Sequence, residues 1–263
     1  MSFNHSRRFA GVLIMLLILS ANAVSALPTI LNYVPSTDVI PEGNLLLQLS
    51  YYGFDFNDDA SRALVRTPGS MLYSLGYGWK KAEIGLDVIG RQSFSTTESG
   101  LYAGPTSFNF KYRICTQGTG HDRFSLVVGA FNIGTRDYGD TFGYYRPSPY
   151  LMLSHAFKNF RLHAGYQWNI LGYHWLDTDR KSNNDLIAGF DAVIIKNKKR
   201  PVTLLIDYTG GPAKMVAYGL SQPINSEWSW GVSYYVPIDD HLPVSGTELP
   251  KQIWVGISRY FPL

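Results

Sequence analysis

The sequence predicts an all-β fold: an antiparallel transmembrane β-barrel of twelve strands, with both termini on the periplasmic side of a Gram-negative outer membrane. Three observations predict it. Segments of about nine to thirteen residues alternate between apolar and polar side chains, the connections between them alternate long and short, and Trp and Tyr gather near the segment ends. Alternation with period two marks a strand whose two faces meet different surroundings. Strands of this length match the ~9–11 residues that cross a membrane at a tilt, not the ~5–6 typical of soluble sheets.

The chain opens with Arg7 and Arg8, an apolar run from Phe9 to Leu19, and small residues ending at Ala26. Basic, apolar and small regions in that order form a secretory signal peptide over 1–26. The apolar run is eleven residues, short of the ~20 that a spanning helix needs. Cleavage after Ala26 leaves 27–43 as a periplasmic lead-in or plug segment, in which Pro28, Pro35 and Pro41 forbid a central strand, and 44–263 as the barrel. Of the 23 Lys and Arg, two lie in the leader, so 21 stand against 20 acids in the exported chain, a balance that gives no footprint for nucleic acid. The single cysteine, Cys115, excludes an intramolecular disulfide and reads as a small buried side chain. No exported segment reaches the ~18 consecutive apolar residues of a membrane helix.

After the lead-in, strands are expected at 44–54, 71–79, 82–90, 105–115, 123–134, 147–157, 160–171, 185–195, 201–209, 215–222, 227–236 and 251–261. The clearest is Arg161–Ile170, where Arg161, His163, Gly165, Gln167 and Asn169 alternate with Leu162, Ala164, Tyr166, Trp168 and Ile170. In 105–115, Ser107, Asn109, Lys111 and Arg113 stand against Phe108, Phe110, Tyr112 and Ile114, and Trp228, Trp230, Val232, Tyr234 and Val236 form the apolar side of 227–236.

Long connections are expected at 55–70, 91–104, 135–146, 172–184 and 237–250, and short ones at Lys80-Lys81, Thr116–Asp122, Lys158-Asn159, Lys196–Arg200 and Pro223–Ser226. Outer-membrane barrels pair long extracellular loops with short periplasmic turns. Opposed residues of an antiparallel pair point the same way, which tests the register. Pairing Trp79 with Ala82 sets Tyr77, Leu75 and Tyr73 opposite Ile84, Leu86 and Val88, and Ser74 opposite Asp87. Pairing Phe157 with Phe160 sets Leu153 opposite Ala164 and Ser154 opposite His163. Tyr51, Tyr52, Trp79, Trp168, Tyr173, Trp175, Trp228, Tyr234, Tyr235, Trp254 and Tyr260 are expected in two interfacial girdles.

The last strand, Lys251–Phe261, resembles the C-terminal strand that the outer-membrane assembly machinery recognises, with Pro262 and Leu263 following the terminal aromatic. The opening Ile30–Asn44 is similar to the lead-in of YjbH-type barrels linked to exopolysaccharide production, with Thr37 where that phrase has alanine. The first resemblance implies assembly machinery and outer-membrane lipid as partners; the second implies an accessory role in envelope polysaccharide export, and the lead-in's place implies a periplasmic partner.

The polar faces define a lumen lined by Glu83, Asp87, Asn109, Lys111, Arg113, Arg161, His163, Gln167, Asn169, Asp191, Asp207 and Glu227. Twelve strands make it wider than the ~8-stranded barrels that side chains fill and narrower than the ~16–18-stranded open porins. Two outcomes fit: a narrow polar pore, or a lumen shut by ion pairs and an inserted segment. A monomeric channel or binding pore for small polar solutes is the expected function, a non-conducting scaffold the alternative, and a lipid-active enzyme using Ser154 and His163 or a loop histidine, of which His121 and His174 are the candidates, the third reading. Zinc spacing, a phosphate loop and HExxH are absent from the sequence, and the acids around Asp55–Asp59 and Asp177–Asp185 lack the spacing of a calcium loop. No enzyme, cofactor or metal is therefore expected.

Overall fold

The computed structural model describes residues 34–54, 70–94, 99–119, 122–133, 148–168, 185–210, 214–238 and 251–263. The leader, most long connections, the Asp55–Asp59 cluster, His121, Asn169, Tyr173, His174 and Trp175 lie outside them. Twelve strands are present: β1 (Asn44–Phe54), β2 (Ser70–Trp79), β3 (Ala82–Phe94), β4 (Ser99–Thr119), β5 (Asp122–Ile133), β6 (Ser148–Ala156), β7 (Phe160–Gln167), β8 (Asp185–Ile195), β9 (Val202–Thr209), β10 (Met215–Pro223), β11 (Trp228–Pro237) and β12 (Gln252–Pro262). Each pairs antiparallel with its sequence neighbours, and β1 pairs with β12 from Asn44↔Pro262 to Phe54↔Gln252, closing the barrel.

Both hairpin registers hold. Trp79 faces Ala82, Tyr73 faces Val88 and Ser74 faces Asp87; Leu153 faces Ala164 and Ser154 faces His163. The turn between β2 and β3 is two residues, a length that favours positive φ, and Lys80 adopts φ 54° with its ammonium 5.5 Å from the Trp79 ring centre.

The largest departure is the β3–β4–β5 region. Residues 91–94 and 99–103, expected as loop, are paired strand, so β4 runs 21 residues. Gly100 and Ala103 obscure the alternation there, while backbone pairing needs no side-chain pattern. Residues 116–119, expected in a turn over 116–122, are strand paired with 122–125, and Gly118 takes φ +87° where an added Cβ would lie 2.1 Å from the Asp122 carbonyl oxygen.

The two faces invert the order of a soluble protein. Outward-facing Leu47, Leu49, Tyr73, Leu75, Tyr77, Phe108, Phe110, Tyr112, Leu162 and Val255 are exposed, while Lys111, His163, Asp191 and Asp207 are buried inside. An apolar surface of this extent is stable in hydrocarbon and unstable in water. Of the expected girdle residues, Trp79, 54 % exposed, Tyr51 and Trp168 stand outward, but Tyr235, Trp254 and Tyr260 are buried inside. Parity explains the correction: Tyr234 faces outward and Ile253 and Val255 are exposed, so Tyr235 and Trp254 turn inward.

Candidate functional site

The candidate site is the lumen and the chain within it. Residues 34–43 precede β1 and bond to strands on opposite sides of the barrel, which a segment can do only from inside. The Val34 amide donates to Asp207 Oδ2 of β9 at 3.0 Å. Thr37 shares a hydroxyl hydrogen bond with Ser154 of β6. Asp38 receives Arg161 Nη1 of β7 at 2.9 and 2.7 Å on its two oxygens, and its carbonyl receives Lys111 Nζ of β4 at 2.9 Å. The Ile40 amide donates to Glu83 Oε2 of β3 at 3.1 Å. The Gly43 amide donates to the Gly78 carbonyl of β2 at 3.0 Å, and Gly43 in turn accepts from the Leu263 amide at 2.8 Å.

Local sequence explains this path. Pro35 and Pro41 keep the segment extended and out of the sheet ladder. Its apolar residues then find the apolar parts of the wall. Val34, 1 % exposed, packs with Val127, Tyr150, Met152 and Ile187, and Ile40 packs with Leu46 and Tyr260. Gly76 and Gly78 of β2 admit it closely: an added Cβ at Gly78 would lie 2.2 Å from the Pro41 carbonyl oxygen and 2.3 Å from that of Ile40.

The polar contacts centre on one shared cluster. Arg161 bridges Asp38 to Asp191, its Nε lying 3.2 and 2.9 Å from the Asp191 oxygens, and Asp191 Oδ2 also meets His163 Nε2 at 2.8 Å. Lys111, 1 % exposed, lies 3.5 Å from Glu83. The Asp38 carboxylate is thus matched by the Arg161 guanidinium, and the Lys111 ammonium on its own carbonyl sets a second cation beside it.

Glu83, Lys111, Arg161, His163, Asp191 and Asp207 thus come together around the segment. Asp87 and Asn109 face inward, half-buried and hydrogen-bonded to each other. Gln167 is buried. Arg113 is half-buried, and its Nε has no hydrogen-bond partner among the described residues. Asn169 lies outside the described residues.

Glu227 is placed differently from the expectation. It precedes β11 in a turn and accepts Arg259 Nε and Nη2 at 3.0 and 2.8 Å. Arg259 pairs with outward Leu47 and lies against the Trp228 and Phe261 rings, 5.3 and 4.3 Å from their centres. Glu227 therefore neutralises Arg259 at the end of β12, and none of the described bonds joins it to the 34–43 segment; a turn breaks the parity that assigned it inward.

Apolar residues inside were not anticipated. Tyr150-Leu151-Met152-Leu153 is apolar on both faces, so alternation alone gives no direction there. The hairpin register contained the missing signal, since outward Leu153 requires inward Met152. Beside Trp254, between Ser221, Ser229, Gly231, Gly256 and Ser258, lies a cavity of about 20 Å³, room for about one water.

Ser154 and His163 face each other in the register, yet the described bonds engage them elsewhere: Ser154 with Thr37, and His163 through Nε2 with Asp191. His163 Nδ1 is buried and has no hydrogen-bond partner among the described residues. No cluster of three His, Cys, Asp or Glu suited to a metal occurs among the described residues.

No family model matches the chain, and no curated protein matches it. Among solved structures, the outer-membrane phospholipase A of Escherichia coli is 11 % identical with a TM-score of 0.46, covering 83 % of this chain and 90 % of that one. The NanC porin is 14 % identical with a TM-score of 0.46, covering 82 % and 98 %. Salmonella typhi OmpF in complex with daunomycin is 9 % identical with a TM-score of 0.34, covering 83 % and 96 %. Likenesses at this level assign no activity and no substrate.

Proposed function

We propose that this protein is an outer-membrane barrel whose polar lumen is a path for small solutes, held shut by residues 34–43 acting as a gate. The observation that carries the reading is the chemistry of the seat. Glu83, Lys111, Arg161, Asp191 and Asp207 are charged groups, and a barrel closed for good is filled more stably by apolar side chains of similar volume. Charged walls suit a lumen that is wet whenever the segment leaves. The reading includes no catalytic step, cofactor or metal. Its partners are outer-membrane lipid, the assembly machinery at the C-terminal strand, and a periplasmic protein acting on the lead-in.

Conductance in planar bilayers tests it. The intact exported protein is expected to be silent, and deletion of 34–43 to produce discrete current steps, with heat-modifiable gel mobility showing that both are folded. Silence of both folded proteins ends the channel reading. It would favour the scaffold of polysaccharide export, which the YjbH-like lead-in and the buried Val34 and Ile40 support.

The membrane belt has its own test. In single-tryptophan variants reconstituted with brominated lipid, Trp79, outward and 54 % exposed, is expected to lose most of its fluorescence, and inward Trp254 to lose little. Equal quenching of the two would contradict a lipid-facing outer surface.

A further inference from the structure

The apolar belt ends beside the turn between β8 and β9 in an unusual way. The pairing shifts register between Val193 and Ile195, and this bulge places two consecutive isoleucines, Ile194 at 52 % and Ile195 at 55 % exposure, on the surface. Four cations follow within five residues: Lys196, Lys198, Lys199 and Arg200, all exposed. The turn has a fixed shape, because Asn197 Oδ1 accepts the Lys199 and Arg200 amides at 3.0 and 3.3 Å and the Arg200 carbonyl accepts Gln222 Nε2 at 3.2 Å.

The neighbouring turn continues the arrangement. Val193 donates to the Asn159 carbonyl at 3.1 Å, which sets the β6–β7 turn against the end of β8. That turn carries exposed Lys158, and the exposed rings of Phe157 and Phe160 at its two ends stack 4.6 Å apart. Asp122, an exposed acid at the start of β5, is engaged by His155 of β6 at 2.6 Å.

We infer that this part of the rim is a docking surface for anionic phospholipid headgroups of the adjoining leaflet. Phe157, Phe160, Ile194 and Ile195 form a ledge for the upper acyl chain, and Lys158, Lys196, Lys198, Lys199 and Arg200 stand beyond it where the phosphates lie. Lysine and arginine stems cover apolar surface while their charges reach the headgroup plane. Basic clusters beside a membrane surface attract acidic lipid. A soluble polyanion would need the charges but not the adjoining ledge. The inference rests on the membrane reading above.

Spin-labelled lipids at the boundary of the reconstituted full exported protein test it. Phosphatidylglycerol is expected to be preferred over phosphatidylcholine by about fivefold. The preference should fall towards unity in 1 M salt and in the K196Q/K198Q/K199Q/R200Q variant. Equal association of the two lipids with the parent protein, or a preference that survives both treatments, overturns the inference while leaving the belt in lipid. Binding of dextran sulfate by the parent protein without any preference among lipids also overturns it, in favour of a soluble polyanion. Absence of any immobilised boundary lipid removes the membrane reading itself.

Discussion

Gly78→Val is expected to open a barrel that is otherwise silent. The substituted Cβ has no room: its ideal position is 2.2 Å from the Pro41 carbonyl oxygen and 2.3 Å from that of Ile40. Backbone atoms cannot swing aside as a side chain end can, and β2 is held on both sides by β1 and β3. The lead-in is therefore the part that moves. Its displacement removes the Gly43–Gly78 and Ile40–Glu83 hydrogen bonds and lifts Ile40 from Leu46 and Tyr260. The variant should show current steps in planar bilayers, retain its strand content, and lose about 1–3 kcal/mol of stability from the overpacked contact. Gly85→Ala is the matched control, because a Cβ there meets nothing nearer than 3.5 Å, and it should stay silent. A folded Gly78→Val protein that remains silent and still protects the lead-in from protease would contradict the gate.

Arg161→Ala is expected to be the most destabilising single change within the lumen. The guanidinium satisfies Asp38 through Nη1 and Asp191 through Nε, and the two carboxylates are only 21 % and 12 % exposed. Removing the cation leaves two acids near each other with little water, and breaking a buried pair in this way costs about 3–5 kcal/mol. Asp191 keeps His163 Nε2, so the larger share of the loss falls on Asp38 and hence on the lead-in. A double-mutant cycle with Asp38→Ala separates the terms: Arg161→Ala combined with Asp38→Ala should lose clearly less than the sum of the two single changes. The measurement is urea unfolding of the reconstituted protein. An Arg161→Ala loss under about 1 kcal/mol would mean that Asp38 is solvated rather than held.

Much of this architecture was legible in the sequence because a barrel wall has only two faces. The bounds expected for β1 and β8 are those observed, and one two-residue turn at Lys80-Lys81 sufficed to set the register of β2 against β3. Legibility failed where alternation carried no sign. Tyr150–Leu153 is apolar throughout, so the apolar patch that receives Val34 was invisible without the partner strand. Arg259 is a charge on an outward position, tolerated because Glu227 neutralises it and Trp228 and Phe261 cover it. No local pattern announces such a four-residue arrangement, since its members come from two strands and a turn. Glu83, Lys111, Arg161, His163, Asp191 and Asp207 were legible as polar positions, but what they grip was not. Prolines exclude the lead-in from the sheet; they do not say where it goes.

The bond between the Leu263 amide and the Gly43 carbonyl ties the last residue of the chain to the base of the lead-in. Tyr260, three positions earlier, is also one wall of the seat for Ile40. A barrel in which β1 and β12 have not yet paired accordingly has neither a sealed seam nor a complete socket for the lead-in. Pairing β1 with β12 joins the two most distant strands in sequence, so it carries the largest loop-closure entropy and belongs late in assembly. Sealing the wall and seating the lead-in are then coupled, because both draw on the same last strand.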